Sequence, residues 1–247
     1  MREAKIVDRL TEHLSQARDY LGSDDRILGV FLYGSQNYGT DTDESDVDTK
    51  CIVVPDLYHL ACSPDKVQRL RVGSTNEFCE VMPIQHVVAG WKKQSISFLE
   101  ILFTKHCIIN PAFRHIWSEL QTQWGERVAR YDPKRALLAM SGQALQSLRQ
   151  KPQDFKVHMN LARLYWTACK YITETPYREA IQVDDRLSCA EIRTKGLSEL
   201  SLTFFQSGLT SVAECPDRFI AHKPDKAPVD AALDTFILDC VKVLINR

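Results

Sequence analysis

The chain reads Phe31-Leu-Tyr-Gly34-Ser35-Gln-Asn-Tyr-Gly39-Thr-Asp-Thr-Asp-Glu-Ser-Asp46-Val-Asp48 at the stretch that decides its fold. An apolar run over residues 27–33, broken only by Gly29, ends in Gly34-Ser35, and a second apolar run covers residues 51–54. Short apolar runs bounded by turn residues are typical of buried strands. We therefore predict two neighbouring strands, with Gly34-Ser35 leaving the first and Asp46-x-Asp48 entering the second.

The polar residues between these strands have a shared chemistry. Asp46 and Asp48 point the same way if they lie on a strand, about 6.6 Å apart, and two such carboxylates repel unless a cation separates them. Oxygen ligands suit Mg²⁺, which completes its shell with water and phosphates. Gly34 lets a phosphate approach the backbone, and Ser35 adds a hydroxyl where a short helix is expected to begin. The layout predicts phosphoryl or nucleotidyl transfer.

Other interpretations of the loop are simpler or differ in chemistry. Asp and Ser are common in solvated turns. The start of a calcium loop, Asp41-x-Asp43-x-Ser45, would require Gly at position 46 and Glu at position 52, where the chain has Asp46 and Ile52. A Walker-type phosphate loop would require Gly-Lys-Ser/Thr, which the sequence lacks.

Gly34-Ser35, ten residues and Asp46-x-Asp48 together resemble the signature of the DNA polymerase beta-like nucleotidyltransferase superfamily. Within it, Tyr-Gly-Ser-Gln-Asn-Tyr-Gly and Ser-Asp-Val-Asp-Thr-Lys are similar to a family of predicted bacterial and phage nucleotidyltransferases. The similarity continues through Glu77-Phe-Cys-Glu80-Val, Phe98-Leu-Glu-Ile-Leu-Phe103 and Asn110-Pro111. It covers residues 27–111 strongly and the remainder weakly.

The resemblance implies a metal-dependent transfer of a nucleoside monophosphate from an NTP, expected to be ATP, to a hydroxyl-type acceptor. Asp46 and Asp48 would hold two Mg²⁺ ions (or Mn²⁺), while Gly34 and Ser35 would grip the β and γ phosphates. Glu80 would be the third carboxylate and hold the ion that activates the acceptor. RNA ends, protein hydroxyls and small molecules stay open as acceptors. The alternatives are a non-catalytic nucleotide- or partner-binding protein on the same fold and, less favoured, a metal-dependent phosphohydrolase.

Glu77 and Glu80 cannot both join the two aspartates on a regular strand, because residues three apart face opposite ways. The family pattern and the apolar Val81 that follows favour Glu80. Glu77 is then predicted to be a surface charge.

Composition is that of an ordinary globular protein: 247 residues, 44% hydrophobic and 26% charged, with a net charge of −1. Residues 36–48 carry five acids and no Lys or Arg, whereas residues 114–170 carry ten Lys or Arg against four acids. An acidic centre beside a basic segment suits a metal–nucleotide complex. The charged N-terminus, the lack of a long apolar run and eight cysteines without a Cys-x-x-Cys pair predict a cytoplasmic protein with reduced thiols and no membrane segment.

The predicted fold class is α/β: a nucleotidyltransferase-type small mixed sheet with flanking helices over residues 1–110, then an all-helical domain over residues 111–247. A helix over residues 2–21 is expected to cover one sheet face, and residues 77–82 to form a third strand. Later helices are predicted over residues 83–93, with Pro83 in the first turn, and over residues 111–124, 133–150, 154–174, 187–209 and 228–245 from apolar periodicity and Gly or Pro punctuation.

One polar stripe in the helical part admits two interpretations. Residues Lys156, Asn160, Arg163, Thr167 and Lys170 share a helix face by their spacing. The stripe is either an ordinary solvent face or a set of donors facing a triphosphate. Arg163 and Glu191-Ile-Arg193 also resemble weak motifs of the family's helical half, so Lys156, Arg163 and Arg193 are the predicted nucleotide-binding residues there.

Overall fold

The structure is a computed structural model of the chain that describes residues 2–42, 45–62, 66–73, 76–183 and 186–246. The side chains of Arg2, Arg186 and Leu187 are also left undescribed. Asp43 and Glu44, two of the five acids counted in the predicted acidic loop, lie outside the described residues.

A five-stranded mixed sheet lies at the centre of the first half of the chain. Its strands run in the order β3-β4-β2-β1-β5, and β2 and β4 are parallel while the other neighbours are antiparallel. The predicted mixed sheet, and the predicted pairing of the two strands around the polar loop, are therefore confirmed. The strands are β1 Ile27–Tyr33, β2 Asp48–Val53, β3 Gln68–Arg71, β4 Phe78–Pro83 and β5 Cys107–Ile109.

Helices surround the sheet, and every regular element described after β5 is helical. The α-helices are α1 Arg2–Leu21, α2 Ser35–Tyr38, α3 Leu57–Ala61, α4 Ile84–Lys92, α5 Ile96–Leu99, α6 Arg114–Glu119, α7 Gly125–Ala129, α8 Pro133–Gln150, α9 Phe155–Ile172, α10 Tyr177–Ala180, α11 Arg186–Lys195, α12 Glu199–Glu214 and α13 Ala227–Ile245. Short 3₁₀ turns cover Glu100–Leu102, Pro111–Phe113 and Pro216–Phe219, and a π-helical turn covers Leu120–Trp124. In the described ranges, no helix has the length and apolar character needed to cross a membrane.

The predicted single helix over residues 187–209 is wrong, because the chain breaks there into α11 and α12. Gly196 has φ 75°, a left-handed conformation that ends α11. Ser198 then caps α12 by accepting a hydrogen bond from the Ser201 amide at 3.2 Å. Both stop and start signals are present in the sequence, but the apolar periodicity continues across them.

The two faces of the sheet pack against different partners. On one face, α1 places Ile6, Leu10 and Ala17 in a buried cluster with apolar side chains of β1, β2 and β4, which confirms that this helix covers a sheet face. On the other face, Phe31, Ile52 and Met82 belong to one continuous core with α4 and the helices that follow. The division into domains at residue 110 stays a prediction.

Glu77 is a buried structural acid, so its prediction as a surface charge is wrong. Its carboxylate accepts hydrogen bonds from Arg9 Nε at 2.6 Å and from the Val47 amide at 3.1 Å. His13 Nε2 lies 3.7 Å from it. The side chain is 9% exposed. Glu77 therefore ties α1 and the segment before β2 to the start of β4, on the face opposite Glu80.

We expect Glu77→Gln to lower the free energy of unfolding by about 1.5–3 kcal/mol, because an ionised acceptor of charge-assisted hydrogen bonds is lost. Chemical denaturation at pH 7 measures the change. Glu12→Gln is the matched control: Glu12 also pairs with Arg9, but its side chain is 47% exposed. Its change should stay within about 0.5 kcal/mol. Equal effects of the two substitutions would contradict the structural role of Glu77.

Candidate active site

One end of the β1–β2 pair carries the residues that the sequence predicts for the site. Tyr33, the last residue of β1, is the register partner of Asp48, the first residue of β2. The Gly34-Ser35 turn and Asp46 therefore extend from the same end of this antiparallel pair. Gln36 joins them further, because its Nε2 donates to the Asp46 carbonyl at 3.3 Å.

The glycine turn has a conformation that favours glycine. Gly34 has φ 95° and ψ −154°, and no heavy atom lies within 4 Å of the place where a Cβ would stand. The constraint at this position is thus the backbone angle, and the space beside it is open. The Gly34 amide donates to Glu100 Oε2 at 2.9 Å. The Ser35 hydroxyl, at the start of α2, has no hydrogen-bond partner among the described residues.

The two aspartates lie side by side at this edge but in different environments. Asp46 is exposed, and its carboxylate has no partner in the part of the chain that the structure describes. Asp48 is partly buried, and its Oδ1 accepts a hydrogen bond from the Phe78 amide at 2.9 Å. Burial raises the pKa of Asp48, and the negative charges of Asp46 and Glu80 add to this, against the lowering effect of the amide and Arg69.

Glu80 lies on β4 opposite Lys50 of β2 and is ion-paired to it. Lys50 Nζ is 2.6 Å from Glu80 Oε2 and 3.8 Å from the centre of the Tyr33 ring. Burial raises the pKa of the Tyr33 hydroxyl, and the charges of Glu80 and Asp48 add to this. The sequence analysis did not single out Lys50, although its position two residues after Asp48 placed it on the same strand face.

The donor chemistry of the site fits a hard cation at the aspartates. Asp46 has a free carboxylate, and Asp48 is held beside two other negative charges that a cation would offset. Glu80 fits less well, because Lys50 already neutralises it. Over residues 2–42, 45–62, 66–73, 76–183 and 186–246, no group of three or more His, Cys, Asp or Glu side chains could hold a metal ion.

A buried carboxylate lies directly behind the glycine turn. Glu100 is 1% exposed, and its Oε2 accepts hydrogen bonds from the Gly34 amide at 2.9 Å and from Asn37 Nδ2 at 3.4 Å. Burial raises its pKa, while these hydrogen bonds and the charge of Arg163 act in the opposite direction. The family resemblance of the segment 98–103 does not single out this acid. Its only sequence signal is a charged residue inside an apolar run.

The helices after β5 contact the segment that follows the Gly34-Ser35 turn. Two of the three cations predicted there, Arg163 and Arg193, make these contacts. Arg163 is 2% exposed, with its guanidinium 3.9 Å from the centre of the Tyr38 ring and hydrogen bonds from Nε and Nη2 to Asn160 Oδ1. A solvent face is therefore the wrong interpretation for Arg163. Arg193 donates from Nη1 to the Thr40 carbonyl at 2.8 Å. Lys156 lies exposed in the first turn of α9.

A cavity of about 790 Å³ opens beside α2, on the β5 side of the same edge. None of the predicted site residues lines it. Its polar lining comes from the residues Glu3, Gln36, Asn37, Thr104, Lys105, His106, Gln121, Arg178 and Gln182.

Comparison of the chain with models of protein families, and with curated proteins, gives no match.

At pH 7 without divalent ions, we expect Asp48→Asn to unfold at the wild-type temperature or above it. The substitution removes a carboxylate charge that burial and the neighbouring acids disfavour, and the Asn side-chain oxygen can still accept the Phe78 amide. The raised pKa means that folded Asp48 binds its proton more tightly than unfolded Asp48, so wild-type stability falls as the pH rises from about 4. Asp48→Asn should lack the part of the pH dependence of stability that Asp48 contributes. Melting temperatures of the wild type and the variant between pH 4 and pH 7 measure this difference.

Mg²⁺ completes this test. It should raise the melting temperature of the wild type and of Asp239→Asn, a control at a half-buried acid on α13 that pairs with Lys242, but not that of Asp48→Asn. A melting temperature of Asp48→Asn far below that of the wild type would show that Asp48 is structural.

Arg163→Ala should lower the free energy of unfolding by about 2–4 kcal/mol, because a desolvated cation–ring contact and its hydrogen bonds are lost beside buried Glu100. Lys156→Ala is the exposed control on the same helix and should change it by no more than about 0.5 kcal/mol. Denaturant titration compares the two. Similar small effects would mean that the packing of Arg163 on Tyr38 contributes little.

Proposed function

We propose that the chain is a metal-dependent nucleotidyltransferase that moves a nucleoside monophosphate from an NTP to a hydroxyl-type acceptor and releases pyrophosphate. One observation carries the proposal. The Gly34-Ser35 turn and the Asp46–Asp48 pair lie at the same end of two paired strands, and the Ser35 hydroxyl and Asp46 carboxylate there have no partner among the described residues. A phosphate-binding turn beside a cation-binding pair is what this reaction requires.

In the proposed reaction, the acceptor oxygen forms a bond to the α phosphorus and the bond from that phosphorus to the pyrophosphate oxygen breaks. Asp46 and Asp48 would hold Mg²⁺ or Mn²⁺, which when bound offsets phosphate charge and aligns the triphosphate. The acceptor proton passes to a nearby base. Glu80 is the proposed base, because its carboxylate lies close enough to Asp48 for its charge to act on the pKa of that residue. Its assignment as the third metal ligand rests on the family resemblance alone.

The NTP-binding set proposed here is Gly34 and Ser35, with Lys156, Arg163 and Arg193 from the helical half. ATP is the proposed donor. Lys156 is exposed, so it can bind a phosphate without losing a contact that holds the fold. Arg163 and Arg193 already hold Tyr38 and Thr40, so they act on the nucleotide through the loop. The acceptor class, an RNA end, a protein hydroxyl or a small molecule, stays open.

The second candidate is a non-catalytic protein that binds a nucleotide or a partner on the same fold. The Lys50–Glu80 ion pair favours it, because a carboxylate held by lysine leaves the aspartates without a third metal ligand. This candidate predicts NTP binding that depends on Mg²⁺ but is not followed by transfer.

The proposed function is tested by incubating the protein with each α-³²P-labelled NTP, Mg²⁺ and a cell extract fractionated into RNA, protein and small molecules. We expect label in one fraction, with release of pyrophosphate, and a loss of at least about a hundredfold in rate for Asp46→Asn and Asp48→Asn. Such a loss corresponds to roughly 2.7 kcal/mol of transition-state stabilisation.

The controls separate the two candidates. Asp239→Asn should label its acceptor at the wild-type rate, since that acid lies away from the site. Mg²⁺-dependent NTP binding in the wild type without label in any fraction would favour the non-catalytic protein. Full transfer by both aspartate variants would exclude the proposed site.

A further inference from the structure

Lys50 is a buried cation in the centre of the sheet. It lies on β2 with Phe31 of β1 and Glu80 of β4 as its register partners, on the same strand face as Asp48. Its side chain is 3% exposed, whereas that of Glu80 is 24% exposed. Nζ is 2.6 Å from Glu80 Oε2 and lies 3.8 Å and 5.0 Å from the ring centres of Tyr33 and Phe98.

These surroundings hold the ammonium group in one place. A lysine that loses its water must be paired, and a single carboxylate with two aromatic faces provides that pairing here. Glu80 in turn accepts a hydrogen bond from Lys50 Nζ, and Lys50 itself lies over the Tyr33 ring. The family pattern assigns Glu80 to a metal ion. In this structure, however, Lys50 already neutralises the Glu80 carboxylate.

We propose that Lys50 takes the place of a second metal ion. It holds Glu80 outside the metal shell as a positioning residue, so the site binds a single divalent ion through Asp46 and Asp48. The inference rests on the proposed function, because it concerns the metal content of that same site.

Electrostatics support a single ion. A divalent cation on Glu80 would lie within a few ångströms of the Lys50 ammonium, which is buried and cannot turn into solvent to avoid it. No described cation forms an ion pair with Asp46 or Asp48: Asp48 accepts the Phe78 amide, Arg69 acts on it only through its charge, and Asp46 is exposed. The two aspartates therefore attract a cation, while the Lys50–Glu80 pair is neutral.

The test counts bound Mn²⁺ by electron paramagnetic resonance of the free ion, with a non-hydrolysable ATP analogue at saturation, and needs no turnover. We expect one ion per chain in the wild type and in Glu80→Gln, with dissociation constants within about threefold of each other. Lys50→Met, which keeps the length of the side chain but not its charge, should free Glu80 and bind two ions. Adding Glu80→Gln to Lys50→Met should restore a count of one.

Arg69→Met is the matched control. Arg69 is a cation near Asp48 on the neighbouring edge strand, stacked on Phe78 at 3.7 Å, and its loss should leave the count at one.

Three results would overturn the inference while leaving the proposed function standing. The first is two bound ions in the wild type. The second is a dissociation constant of Glu80→Gln raised tenfold or more, as expected when a group that supports a metal site is lost. The third is a single bound ion in Lys50→Met. If Lys50→Met does not fold, the Glu80→Gln titration decides alone. A wild-type count of zero would overturn both the inference and the proposed function.

Discussion

The structure of the candidate site depends on one buried carboxylate. Glu100 Oε2 accepts hydrogen bonds from the Gly34 amide and from Asn37 Nδ2, so it fixes the start of the loop that leaves β1. The neighbouring Tyr38 carries the guanidinium of Arg163 on its ring. Glu100 is 1% exposed, and a buried acid needs such partners: the loop supplies the donors, and Arg163 of α9 acts on it through its charge. The loop and the helical half therefore hold each other in place.

The balance of charge around β4 explains why Asp46 and Asp48 are the described acids without an ion pair at this edge. Glu77 and Glu80 face opposite sides of the sheet, and each has its own cation, Arg9 on the α1 face and Lys50 on the other. Both acids are thereby neutralised by the fold. The acids left over at this edge are Asp46 and Asp48, and the pKa of Asp48 is raised by its burial and further by the charges of Asp46 and Glu80. Uncompensated charge on a rigid sheet end is the property that a cation-binding site needs.

Much of the fold can be predicted from the sequence, and the errors have physical causes. The bounds of β1, α8 and α13 follow from long apolar patterns with clear ends, such as Asp132 before Pro133. The strands β3 and β5 were missed because Gln68–Arg71 is polar on an edge and Cys107–Ile109 has three residues, too few to show a period. The burial of Lys50 and Glu100 could not be predicted, since it depends on the partners that the neighbouring strand and loop bring to them.

The polar stripe of α9 also shows that a sequence pattern does not identify the group that faces it. A spacing of four, three, four and three places side chains on one face, but it is equally compatible with water, a ligand or another part of the chain facing them. For Arg163 the facing group is the Tyr38 ring, which belongs to the segment after the glycine turn. Arg193, on α11, binds the Thr40 carbonyl two residues further along that segment. The two arginines therefore hold the segment that follows the glycine turn against the helices after β5, and this is a contact with the chain itself that spacing on a helix could not distinguish from a contact with water or a ligand.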